Sequence, residues 1–159
     1  MKKDGPTVVV EVDCPVAAPI EVAWEVLTDY DNMTSFLPNL EVSHVEARNG
    51  NSLQVHQKGK SGRGPFAIHY DNLREVDLVP MSEIRSRLIS GDLKASIFTT
   101  RIASDESRIH IVNTGRYIPN MWVPPMLGPS IIEAETKKHF ELIRAEILRR
   151  SAIRGNGGR

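Results

Sequence analysis

The last long stretch of the chain, Pro129 to Arg150, constrains the fold more than any other. Its residues Ile132, Thr136, Phe140, Ile143 and Ile147 recur at spacings of four, four, three and four, which lays one stripe along an α-helix. Glu133, Lys137, Glu141, Arg144, Glu146 and Arg150 fall on the opposite face, with Glu133–Lys137 and Glu146–Arg150 as i,i+4 pairs. Gly128-Pro129-Ser130 marks the start, because proline loses nothing in a first helical turn. At 1.5 Å per residue such a helix is about 33 Å long. A one-sided helix of that length needs a long apolar surface to lie on, and the rest of the chain has the pattern of one.

Thr7 to Val16 alternates Val8, Val10, Val12 and Cys14 with acidic residues and predicts a strand. Pro19 opens a helix with Ile20, Ala23, Trp24 and Leu27 on one face, where Trp24 reads as a core anchor. Asp29-Tyr30-Asp31-Asn32 breaks it, and Asp31 or Asn32 can cap a second short helix through Met33, Phe36 and Leu37 that Pro38 ends. From Leu40 to Ile118 strands and tight turns follow one another: Leu40–Ala47, Leu53–Lys58, Phe66–Val79, Glu83–Ile89, Leu93–Ala103 and Arg108–Ile118. Asn49-Gly50 is a strong hairpin signal, and turns at this frequency predict an antiparallel meander. The expected fold is α+β: a seven-stranded antiparallel curved sheet wrapped around the C-terminal helix, with two short helices after the first strand. Residues 1–153 read as one domain and 154–159, rich in glycine, as a disordered tail.

Motif chemistry is sparse. The chain has 20 basic and 20 acidic side chains, so no global field attracts nucleic acid, and no DNA partner is expected. From Glu133 onward Lys and Arg outnumber Glu by three, which reads as a solvated helix face and basic tail. The single cysteine, Cys14, rules out an internal disulfide and reads as a buried bystander. No apolar run reaches the length of a membrane span and no signal peptide is recognisable, so a cytoplasmic protein is expected. The five histidines form no ligand-spaced pair, and His56, His69 and His110 share strand parity with polar neighbours, so no metal is expected. Gly59-Lys60-Ser61-Gly62-Arg63-Gly64 precedes a strand, not the helix a phosphate loop needs, and no serine sits in a nucleophile elbow. Asp29 and Asp31 read as turn and cap residues, and no catalytic residue is assigned.

What remains is apolar. Phe36, Leu37, Val55, Tyr70, Phe98, Ile132, Thr136 and Phe140 are expected to face inward, and Trp122 and Met126 to stand near one end of the long helix after the stiff Pro124-Pro125. A curved sheet that does not close completely over its helix leaves an apolar pocket, in which Tyr70 and Thr136 would orient a ligand.

The element order, together with Thr28-Asp29-Tyr30-Asp31-Asn32-Met33-Thr34-Ser35-Phe36-Leu37-Pro38-Asn39-Leu40, resembles the START-like superfamily, and within it the polyketide cyclase/dehydrase and coenzyme Q-binding group. Ser90-Gly91-Asp92-Leu93 and Trp122-Val123-Pro124-Pro125 add to the likeness, which spans about Val8 to Arg150. It implies a helix-grip fold with a hydrophobic cavity between sheet and last helix. After the Gly-Asp turn, where close relatives tend to carry an aromatic residue, a glycine and a tryptophan, this chain has Ser96, Phe98 and Thr100, so its cavity wall is expected to differ. The resulting expectation is binding or transport of a hydrophobic small molecule (lipid, isoprenoid quinone or polyketide-like) without a cofactor. Transient membrane contact is compatible with it. The alternatives are a polyketide cyclase or dehydratase and a ribosome-associated interaction protein. An inward Asp, Glu, His or Arg would favour the enzyme.

Overall fold

The computed structural model describes residues 8–61, 68–91, 93–105, 108–119 and 129–157. The strands among them are β1 (Val8–Val16), β2 (Leu40–Asn49), β3 (Ser52–Ser61), β4 (Ile68–Val79), β5 (Glu83–Ser90), β6 (Leu93–Ser104) and β7 (Ile109–Pro119). Helix α1 (Ile20–Leu27) and a 3-10 turn (Tyr30–Ser35) follow β1, and helix α2 (Pro129–Gly157) closes the chain. The strands form one antiparallel sheet in the order β1-β7-β6-β5-β4-β3-β2, a meander with the first strand added beyond the last. The expected α+β fold, with seven strands and a long terminal helix, is the observed one.

Local chemistry explains most boundaries. Pro19 sits at the N-cap of α1 with extended backbone, and the helix buries Val22, Ala23, Val26 and Leu27. The 3-10 turn begins after Asp29, earlier than the expected cap at Asp31 or Asn32. Those two side chains work differently: Asn32 Nδ2 donates to Asp29 Oδ1 (2.9 Å), and Asp31 Oδ1 accepts the Val45 N–H (2.9 Å), which ties the turn to β2. At the β2–β3 hairpin Asn49 pairs with Ser52, so the central residues are Gly50 and Asn51. Gly50 has φ +62° at the first of them, as a type II′ turn requires.

The sheet is curled by irregularities. β2 shifts register against β3 at Leu40/Val42 and Val45/Ala47, and β5 carries the extra residue Ile89 opposite the Leu73–Arg74 step of β4. A bulge bends its strand and turns the neighbouring side chains. The inner face of β1 supplies Val10, Val12, Cys14 and Val16, all buried, and α2 lays Phe140, Ile143 and Ile147 on the same core.

Two expectations about α2 need correction. The helix runs on to Gly157, so it includes residues 154–157, which the sequence pattern assigned to a tail. Glu146 and Arg150 are not on its solvent face: Glu146 is buried and Arg150 half-buried. Arg150 donates to Glu146 (2.7 Å), Glu25 (3.0 Å) and Asp29 (2.9 Å), and its guanidinium lies 5.6 Å from the Phe36 ring centroid. Arg154 adds a second link to Glu25. The end of α2 is thus fastened to α1. Phe140 stands over the middle of the core, its carbonyl 3.7 Å from Cys14 Sγ. Since α1 follows the Val16 end of β1, the first turns of α2 point toward the Val8 end.

Candidate functional site on the concave face

Side chains alternate along a strand, so the inward residues of neighbouring strands form rows across the sheet. Near the α1 end those rows are aliphatic: Ile102 and Ile111 lie beside Cys14. Toward the other end they become polar. Asn72 and Arg74 of β4, Ser96 and Thr100 of β6 and Asn113 of β7 are all buried, and Ser86 of β5 is half-buried. Asn113 Nδ2 donates to Thr100 Oγ1 (2.9 Å).

Arg74 is the centre of this region. It is only 6% exposed. Its Nε donates to Ser86 Oγ (2.5 Å), Nη1 to Ser96 Oγ (2.6 Å), and Nη2 to the carbonyls of Ser86 (3.1 Å) and Ser96 (3.4 Å). The guanidinium carbon stands 4.7 Å from the centroid of the Phe98 ring. Every one of these acceptors is neutral, and Arg74 forms no salt bridge among the described residues. Burial lowers its pKa to about 10, with the nearby Tyr30 acting the other way, so it stays charged at neutral pH. A guanidinium has five N–H groups, and one on Nη1 is not used by these bonds.

Tyr30 approaches from the 3-10 turn. It is 9% exposed, and burial pushes its phenol pKa up while Arg74 pulls it down. Its hydroxyl has no hydrogen-bond partner among the described residues, yet it is not a sealed orphan. Tyr70 is half-buried on the same face of β4, its hydroxyl against Gly59 of β3, where an added Cβ would meet it at 3.0 Å.

From α2 comes His139. It lies four residues before Ile143 and seven before Glu146, both buried, and so belongs to the inward face. Burial pushes its imidazole pKa down to about 4, yet more than a third of the residue is accessible. Its ring meets Phe140 edge-on at 5.4 Å.

Of the ten expected lining residues, Leu37, Val55 and Phe140 are packed core, exposed by 3%, 1% and 5%. Phe36 lies under Arg150 at the α1 end. Tyr70, Phe98 and Thr136 are half-buried. Trp122, Met126 and the side chain of Ile132 lie outside the described residues. Not singled out from the sequence were Arg74, Tyr30, Ser86, Asn113 and His139, while Ser96 was expected on the cavity wall. Arg74 was within reach of the strand alternation, being four residues beyond an inward Tyr70. His56, His69 and His110 do face outward; His56 pairs with Asp71 (2.6 Å), and His110 bridges Asp13 and Asp105 (3.0 Å each). No group of three metal-ligating side chains occurs among the described residues.

An open antiparallel sheet gripping a long terminal helix, with polar groups in its concavity, is the helix-grip architecture of START-like proteins. The family model for polyketide cyclase/dehydrase and lipid transport matches residues 16–131, and the chain belongs to that family. Solved structures agree on the fold. TTHA0849 from Thermus thermophilus has a TM-score of 0.76 at 16% identity, covering 90% of this chain and 99% of the other. The Zhui aromatase/cyclase from Streptomyces sp. R1128 gives 0.74 at 17%, with 93% and 95% covered. A START superfamily protein from Mycobacterium smegmatis gives 0.69 at 15%, with 91% and 97% covered. No curated protein sequence matches significantly. No helix among the described residues is long and apolar enough to cross a membrane.

Proposed function

We propose that this chain binds a hydrophobic small molecule carrying an acidic or enolic oxygen, in the space between the sheet and the first turns of α2, with Arg74 holding that oxygen. One observation carries the reading: a buried guanidinium whose described acceptors are all neutral. Burying an unpaired charge is costly, and an anionic oxygen from a ligand offsets that cost. The spare Nη1 hydrogen and the Tyr30 hydroxyl are two donors available to it. Family membership supports the hydrophobic character of the ligand.

Laurate and methyl laurate test this by calorimetric titration, since they differ in charge and little in apolar area. The carboxylate is expected to bind about tenfold more tightly or better, the worth of a charge-assisted hydrogen bond. Arg74→Met is expected to erase the preference. Equal affinity of the two probes for the native protein, or a preference that survives Arg74→Met, would sink the reading.

The inward Arg74, with His139, favours a second reading, a cyclase or dehydratase acting on a poly-β-keto chain. Burial keeps the His139 imidazole neutral at pH 7, so it is available as a proton acceptor, while a guanidinium stabilises an enolate. Turnover of a polyketide-like substrate that is lost in His139→Ala, with laurate binding kept, would establish it. The interaction-protein alternative loses support. Arg149, Arg150 and Arg154 of the basic segment are engaged by Glu146, Glu25 and Asp29.

A further inference from the structure

We infer that Gly115 and Phe98 are a positioning pair for Arg74, and that the absence of a side chain at residue 115 sets the selectivity of the site for charged over neutral ligand heads. The inference rests on Arg74 being the anchor, as proposed above.

Ser86, Phe98 and Gly115 are successive partners in one row across β5, β6 and β7. Gly115 is buried, and its φ is not in the left-handed region, so backbone freedom is not why a glycine stands there. Space is the reason. A Cβ on residue 115 would lie 2.6 Å from both Cδ1 and Cε1 of Phe98, closer than carbon atoms tolerate. The Phe98 ring occupies the volume that any side chain at 115 would need. The same ring carries the guanidinium of Arg74 at 4.7 Å. Ser86 and Ser96 fix the guanidinium by its edges and Phe98 supports its face, which together aim the remaining Nη1 hydrogen. A ring pushed off Gly115 moves away from or into the guanidinium, and in either case the donor is misdirected. Gly115 touches no ligand in this scheme; it acts through Phe98.

The test compares Gly115→Ala, Phe98→Val and the double variant, each read by the ratio of laurate to methyl laurate affinity and by melting temperature. Valine has no atoms at the δ or ε positions, so it removes the steric conflict together with the ring. Gly115→Ala is expected to lower the ratio about fivefold, within the range of a lost cation–π contact, while methyl laurate affinity changes less than about twofold. Phe98→Val is expected to lower the ratio to a similar extent, with some loss for both probes because the ring also lines the site, and the double variant to have a ratio no lower than Phe98→Val, because the alanine then has nothing to displace. A structural role alone would change stability and both affinities together. An unchanged ratio in Gly115→Ala, or losses that add in the double variant, would overturn the pairing. If Gly115→Ala does not fold, the double variant must fold and match Phe98→Val; its failure would also overturn the pairing. A native protein that does not discriminate the probes removes the anchor itself, a different failure from any of these.

Discussion

A guanidinium held by two serines and a phenyl ring gains directional bonds but no countercharge among the described residues, so burying Arg74 is a cost to the folded protein that the proposed ligand would relieve. Arg74→Met removes that cost together with four hydrogen bonds to neutral acceptors. The two effects oppose each other, and the variant is expected to stay within about 1 kcal/mol of the native protein in urea unfolding. A loss above about 3 kcal/mol would show that Arg74 is a structural clamp first. Tyr30→Phe removes a hydroxyl without a described partner, so stability should be unchanged, while laurate binding should weaken between about twofold and tenfold. Full affinity in Tyr30→Phe would place the ligand oxygen elsewhere. These two residues also differ in how legible they were. Tyr70, Asn72, Arg74 and Val76 share one parity, so placing Tyr70 inward already places Arg74 inward, and only the habit of sending arginine to solvent hides it. Tyr30 stands in Asp29-Tyr30-Asp31-Asn32, a polar stretch that reads as a break, and nothing local says the ring turns back under the sheet.

At the scale of elements, α2 is two helices in one. Its later turns bury Phe140, Ile143, Glu146 and Ile147, while in its earlier ones Thr136 is half-buried and His139 more than a third exposed. Phe140→Ala, in the packed half, is expected to cost about 3–5 kcal/mol, and a loss below about 1 kcal/mol would show that the ring borders open space. Of the stripe 132-136-140-143-147, the last three positions are packed in the core. Its companion at 136, 139, 143, 146 and 150 also recurs at helical spacings of three and four but carries His, Glu and Arg, which hydrophobic patterning assigns outward. Pairing with residues 125 and 121 positions away in sequence brought Arg150 in, and no local pattern reports that. The Arg149 guanidinium first, and Arg150 next, hold the Glu146 carboxyl down to about 2 against burial that raises it. An unfolded Glu146 takes up its proton near pH 4.5, the folded one only near pH 2. Its stabilisation is therefore complete above about pH 5 and lost as the pH falls through 2, up to about 3 kcal/mol in all. Glu146→Gln should lower stability at pH 7 and flatten the acid side of the stability curve below pH 5. A parallel, merely displaced curve would deny the carboxyl this role.

Across the whole molecule the same division recurs. The end held by α1, the later turns of α2 and the aliphatic rows is a dry core cross-linked by Arg150. The other end trades apolar packing for Arg74, Ser96 and Asn113. The overall architecture was legible because strand alternation, turn residues and one long stripe all agreed on it. The interior was less so, since Arg74, Ser96 and Asn113 are polar residues at positions where the folding pattern calls for apolar ones. Local stability should follow the division, because segments with few buried apolar contacts open without global unfolding. In native-state hydrogen exchange the amides of residues 140–150 are expected to exchange only through global unfolding. Those of 133–139, on the same helix, should exchange through a cheaper local opening. Saturating laurate should slow exchange of 133–139, by up to about a hundredfold at a hundred times the dissociation constant. It should slow 140–150 only as far as it stabilises the whole protein. In Arg74→Met the early turns should keep their fast exchange with or without laurate. Uniform protection along α2 before any ligand is added would mean that its first turns pack as tightly as its last, and that the interior space beside His139 is closed.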